Sequence, residues 1–304
     1  MSERLAASAI ESARGRAWQR FRRNRLAVAG ACILAALILA ALAAPFVEEA
    51  LGIDANKVDL LHRFAAPSVD AWLGRDELGR DVFVRLLYGG QVSLLVGILT
   101  ALVAAGIGTC IGLWAGYRGG IVDAVLMRFT DSVIALPLLP LLIVLAALDL
   151  TKLGVPEAIA QSDRISLYRI IVIVSLAGWT TSARLVRGAA LSLRERDFVD
   201  AARSQGASSL RIMFVHILPN LVSPIVVATT LSAGKIILTE SVLSFLGLGI
   251  QPPTSSWGNM LTNAQQTIQS NPELALYPGA LIFLTVIAFN FIGDGLQDAL
   301  DPKA

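Results

Sequence analysis

An all-α polytopic membrane protein with six spanning helices is the fold class that three observations predict. The 304 residues are 55% hydrophobic and only 16% charged, with a mean hydropathy of +0.66. A soluble domain of this size needs more charge to cover its surface. The apolar residues are also bunched into runs rather than spread at a surface period. Finally, six spans put both ends on one side. Sixteen of the 25 Lys and Arg then fall on that side and eight on the other, with Lys235 inside a span. Basic excess marks the cytoplasmic face, so both termini are expected inside.

Residues 1–25 form a basic tail with seven arginines, Arg4, Arg14, Arg16, Arg20, Arg22, Arg23 and Arg25, around Trp18 and Phe21. Such a tail either anchors topology or lies as an amphipathic helix on anionic lipid. Residues 26–46 are the first span. Ala41-Leu42-Ala43 and Arg22-Arg23 invite a signal-peptide reading. The leader is too long for a secretory signal, and the motif around a twin arginine is absent, so an uncleaved span is expected. Residues 47–90 are polar and mixed in charge. Within them Leu78, Val82 and Leu86 repeat at helical spacing over Arg75–Gly90, and Asp76 is the expected N-cap. That helix is expected to lie along the outer membrane face.

Residues 91–297 form a core with five further spans, at about 91–115, 121–148, 168–190, 221–246 and 278–296. In the second span, Gly108, Gly112, Gly116 and Gly120 continue from Ala104 at every fourth residue. Small residues on one stripe let two backbones approach closely in lipid, and glycine's cost in helix propensity argues for a packing face. The third span starts with Asp123, Arg128 and Asp131, and Pro137 and Pro140 should bend it. Its uninterrupted apolar run, 133–148, is about 24 Å of helix, short of the ~30 Å hydrocarbon core. Residues 149–167 and 247–277 are outer segments. Residues 298–304 are a cytoplasmic tail. Cys32 and Cys110 lie within apolar runs, so neither a disulfide framework nor a metal site is expected.

Between the fourth and fifth spans, Asp197–Asn220 reads DFVDAARSQGASSLRIMFVHILPN, the longest polar interruption of the C-terminal half. It reads as two short helices broken at Gly206 and closed by Pro219. Asp197 is the expected first cap, and Asp200 adds charge near the positive end of the helix dipole. Gly206 suits a left-handed C-cap, and Ser208 and Ser209 can cap the second helix. Phe198, Met213 and Phe214 are expected at the surface. Spacing alone leaves two readings open: a helix pair offered to a partner's groove, or an amphipathic loop resting on lipid.

DAARSQG followed by HILPN resembles the signature coupling loop of ABC-transporter permeases. That signature is Glu-Ala-Ala, three residues, Gly, nine residues, Ile, one residue, Leu-Pro. The matching positions are Asp200, Ala201, Ala202, Gly206, Leu218 and Pro219, with Asp200 in place of Glu and His216 at the Ile position. LGRDELGRDVFVRLLYGG, GYRGG, LTESVLSFLGLGIQPPTSSWGNML and FLTVIAFNFIGDGLQDALDP carry the resemblance over residues 70–302. They are similar to permeases of the dipeptide, oligopeptide and nickel importers, of the type with a short N-terminal tail. The resemblance implies a binding-protein-dependent, type I importer (MetI-like) permease fold in the bacterial inner membrane. It implies a second homologous permease as companion, two cytoplasmic ATPases that use ATP and Mg, and an extracytoplasmic solute-binding protein. It implies no cofactor on this chain, no enzymatic activity and no nucleic-acid partner. It also makes 197–219 the coupling loop. The 149–167 connection is longer than such permeases usually have.

No catalytic motif competes with this reading. Gly234-Lys235 is not a P-loop, because Thr229 stands where glycine is required and Ile236 replaces Ser or Thr. His62 and His216 fall on opposite sides of the expected membrane. Lys235 and Glu240 lie inside the fifth span, where a charge costs about 2.5–3.5 kcal/mol near the bilayer centre. Either they line the passage, where Glu240 could meet an ammonium group or a cation, or they only fix packing. They are five residues apart, so a direct pair within one helix is strained. The alternative function is a gradient-driven carrier or channel, and the lack of an obvious inverted repeat argues against it.

Overall fold

A computed structural model describes residues 15, 17–160, 162, 165–262 and 264–300. Residues 1–14 and Arg16 of the basic tail, and 301–304 of the C-terminal tail, lie outside the described residues. Nine helices position the site: α1 (Arg25–Leu42), α2 (Ala44–Leu51), α3 (Val82–Arg118), α4 (Gly120–Ala135), α5 (Leu138–Ala146), α6 (Ile165–Leu193), α7 (Asp197–Ser204), α8 (Leu218–Phe245) and α9 (Glu273–Leu300). The helices α1, α3, α6, α8 and α9 are long and apolar enough to cross a bilayer, and the bent pair α4–α5 makes a sixth span if taken as one.

The helix expected to start at Asp76 and follow the outer face begins instead at Val82. It runs unbroken into the second span, 37 residues in all, or about 55 Å. Asp81 is its N-cap, accepting from the Val84 N–H at 2.9 Å. Burial pushes the Asp81 carboxyl up. Asp76 closes the preceding turn, accepting from the N–H groups of Leu78 and Arg80 at 2.9 Å and from Arg80 Nε at 2.7 Å. Two aspartates five residues apart offered the same capping chemistry. The one whose carboxylate reaches the free helix N–H is decided by the turn between them.

Gly119 and Gly120 both take positive φ, +66° and +54°, and reverse the chain into α4. Gly120 therefore leaves the small-residue stripe expected to include it, and a Cβ there would meet nothing within 4 Å. The rest of the stripe lies against α6. A Cβ on Gly108 would sit 2.4 Å from the Trp179 carbonyl oxygen, and one on Gly112 2.4 Å from that of Ala183. On Gly116 it would sit 2.7 Å from that of Arg187. Both helices thus contribute positions spaced by four, and backbone meets backbone.

The span 121–148 is two helices meeting at 85°. Leu136 is extended (ψ 134°), as the residue before a proline must be, and Pro137 cannot continue the ladder of α4. Ion pairs hold α4 on α6. Arg187 grips Asp123 through two bonds of 2.5 and 2.6 Å, and Arg184 reaches Asp131 at 2.6 Å. Asn24 Nδ2 donates to Asp298 at 3.2 Å, so the start of α1 and the end of α9 share one end of the bundle with α7.

Gly112→Leu is expected to overpack the α3–α6 contact at a cost of about 1–3 kcal/mol. Thermal unfolding in detergent should show a lowered midpoint. Gly106→Leu, at a position where a Cβ meets nothing within 4 Å, should leave it unchanged.

Candidate functional site

The loop at the α7 end is built as a packed knob. Arg196, not Asp197, is the N-cap of α7. It is extended, and its carbonyl accepts from the Val199 and Asp200 N–H groups at 2.8 and 3.3 Å. Asp197 and Asp200 sit inside the first turn, where their charge faces the positive dipole end. The helix closes with Gly206 at φ +78°. Gly206 N–H donates to the Arg203 carbonyl at 3.0 Å and Ala207 N–H to that of Ala202 at 3.1 Å, the paired bonds of a Schellman turn. Ser208 Oγ then accepts from the Arg211 N–H at 3.4 Å.

The second short helix does not close at Pro219. Ser209–Arg211 passes through widened i→i+5 turns at Ile212–Ile217 straight into α8. Pro219 sits in the first turn of α8 without an N–H to give. The widened turn absorbs the missing donor, with Leu218 N–H bonded to the Met213 carbonyl. Asn220 Nδ2 adds a 2.7 Å bond to the carbonyl of His216.

Burial divides the knob into two faces. Val199, Ala202, Ile212, Met213 and Ile217 pack on Leu113 of α3 and on Val186 and Ala190 of α6. Met213, expected at the surface, is 2% exposed and serves as an anchor. Phe198, Leu210, Phe214 and Val215 remain exposed beside Asp200, Ala201 and Gly206. Pro219 is also exposed, and Leu218 is half-buried. Asp200 pairs with Arg203 at 2.9 Å in solvent, a contact worth little.

At the opposite end of the bundle, residues 247–262 fold back onto α8. Glu240 is 1% exposed, and its Oε1 accepts from Ser244 Oγ at 2.7 Å and Ser256 Oγ at 3.0 Å. Asn259 holds the segment closed, accepting from the Ser256 N–H at 3.0 Å and donating to the Thr254 carbonyl at 2.7 Å. Trp257 donates from its indole to the Leu86 carbonyl at 2.9 Å and from its backbone to Ser93 Oγ at 3.1 Å. Its ring lies where Cβ atoms on Gly89 and Gly90 would be only 3.2 and 3.0 Å away. The motifs LLYGG and SSWGN therefore form one joint between α3 and α8.

Glu240 and Lys235 do not meet, being roughly 140° apart around the helix. Glu240 belongs to the joint and lines neither cavity described next. Lys235 lines a cavity of ~400 Å³ between the α4–α5 bend, α6 and α8, with Thr180, Thr181, Arg184 and Thr239. It also lines a second, of ~660 Å³, between α6, α8 and α9, with Ser223 and Gln297. Thr181, Ser232 and Lys235 border both, so the two make one track along α8.

This arrangement has known counterparts. Residues 108–304 match the family model described as the inner membrane component of binding-protein-dependent transport systems. The chain belongs to this family. Residues 12–67 match the model of the N-terminal transmembrane domain of oligopeptide transport permease C. The dipeptide transport system permease protein DppC of Alkalihalophilus pseudofirmus is 40% identical over 287 residues, 94% of this chain and 89% of that one. The oligopeptide transport system permease protein OppC of Bacillus subtilis is 38% identical over 284 residues, 93% of this chain and 88% of that one. The glutathione transport system permease protein GsiD of Pectobacterium atrosepticum is 42% identical over 287 residues, 94% and 90%. A chain of the inward-facing MetNI methionine ABC transporter shares the fold. Its TM-score is 0.55 at 19% identity, over 71% of this chain and 96% of that one.

The protein is thus a multi-pass permease component rather than a catalyst. Sequence reasoning missed the partners of Glu240, the Trp257 joint and the Arg187–Asp123 pair. Gly89-Gly90 and Trp257 were visible as motif residues, but nothing local says that they touch.

Trp257→Ala in this permease is expected to cost about 3–5 kcal/mol. The 247–262 segment should then be cleaved by proteinase K at doses that leave the wild-type protein intact. Equal resistance would show that the indole does not hold the segment down.

Proposed function

We propose that this permease forms half of the solute path of an ATP-driven importer for dipeptides, oligopeptides or related small solutes. A second homologous permease completes the path, two cytoplasmic ATPases use ATP and Mg, and an extracytoplasmic solute-binding protein delivers the cargo. Both termini and the α7 knob then face the cytoplasm of a bacterial cell. The dipeptide, oligopeptide and glutathione systems named for its relatives support the peptide class.

The observation that carries this reading is the two-faced knob. Its outer face offers small residues between exposed apolar ones, the surface a partner's groove accepts. Its inner face is locked onto α3 and α6, and its chain is continuous with α8. ATP-driven approach of the two ATPases would push the knob, and α6 and α8, which wall both cavities, would move with it. At the far end the Glu240–Ser256 joint carries the same α8 movement to the 247–262 segment, where the binding protein docks.

Gly206 tests the knob. It is exposed, and a Cβ there meets nothing within 4 Å, so a side chain brings backbone strain of ~1–2 kcal/mol but no clash. Gly206→Trp is expected to abolish ATP-dependent uptake while membrane insertion and helix content are kept. Normal uptake by that variant would refute the coupling role.

A further inference from the structure

We propose that Lys235 is a solute-recognition residue of this path and that it binds the side-chain carboxylate of an acidic peptide, so the importer favours acidic cargo. The inference rests on the importer reading above and narrows its substrate class.

Depth comes first. Lys235 lies about 26 Å along α8 from Leu218 and about 15 Å from Phe245, well inside the helix. A counter-charge would stabilise a cation held there. The surrounding elements supply none. The α4–α5 bend contributes apolar side chains such as Val133, Leu136 and Leu141. From α6 come Thr180, Thr181 and Arg184, from α8 Ser223, Ser232 and Thr239, and from α9 Gln297. Among the described residues no carboxylate lines either cavity. The second cation, Arg184, is already paired with Asp131 at 2.6 Å. Glu240, the nearest acid along α8, is turned away and held by Ser244 and Ser256. The Lys235 carbonyl accepts from Thr239 Oγ1 at 2.9 Å, but its ammonium makes no hydrogen bond or ion pair with any described residue and remains exposed to the track.

A lone ammonium beside neutral hydroxyls, in mostly apolar walls, selects an anion by charge. Lysine is a point charge with three rotatable donors, so it takes a carboxylate in many orientations, as cargo of varied sequence demands. A single such contact is also weak enough to release what it binds, which conduction requires.

The test uses the complete importer, with its binding protein and ATP, in proteoliposomes. Uptake of radiolabelled Ala-Glu, Ala-Ala and Ala-Lys is compared between wild type, Lys235→Gln and Lys235→Arg. Lys235→Gln should lower Ala-Glu uptake about tenfold or more, the scale of a lost charge-assisted bond. Ala-Ala should fall less and Ala-Lys should not fall, while ATP hydrolysis stimulated by the binding protein is kept. Lys235→Arg should restore most Ala-Glu uptake. Unchanged Ala-Glu uptake in Lys235→Gln overturns the assignment. So does an equal loss for all three peptides with dissociation of the complex, which would place the counter-charge on the companion permease. Failure of wild type to take up any of the three overturns the peptide-importer reading itself, a result distinct from the other two.

Discussion

Contact between the backbones of α3 and α6 is the constraint on which the rest of this permease depends. In lipid, apolar side chains gain nothing by leaving one hydrocarbon surface for another, so close packing has to hold helices together. Gly108, Gly112 and Gly116 remove the side chains that would keep the two axes apart. Once α3 and α6 are fixed, Leu113, Val186 and Ala190 form a floor at one end, and the knob seats its buried face there. The wall of α6 that borders both cavities is placed by the same contact.

The fifth span works as a rod with a fitting at each end. One end is continuous with the second helix of the knob through widened turns, from Ser209 to Phe245. The other end is clasped by the 247–262 segment through Glu240, Ser244, Ser256 and Trp257. Two hydroxyls donate to Oε1 of the buried Glu240, while its Oε2 has no hydrogen-bond partner among the described residues. Lys235, on another face of the same rod, is left toward the track. Two charged residues five positions apart therefore have unlike surroundings, one buried against hydroxyls and one facing the cavities.

Local rules were readable where a residue's conformation is set by its own neighbours. Gly206 takes φ +78° because the turn after α7 needs a left-handed residue. Pro137 breaks the third span because a ring has no N–H to give. The same rules misplaced features wherever two local solutions competed. Asp76 and Asp81 are equal as caps in sequence, and the turn between them selected Asp81. Gly120 fits a spacing of four, but the helix carrying that spacing ends at Arg118. Met213 looks like a surface residue of a short loop until the floor of α3 and α6 is placed beneath it.

By itself the order of apolar runs, basic tails and small-residue stripes determined an all-helical, multi-pass chain with a patterned polar loop, because hydropathy, helix period and capping act over a few residues. Only the tertiary structure decided which faces meet. Arg187 and Asp123 are 64 residues apart, and Trp257 and Leu86 are 171 apart. No local rule ranks such pairs above their alternatives. The choice belongs to the packing of whole helices, and that packing separates the buried Glu240 from the exposed Lys235.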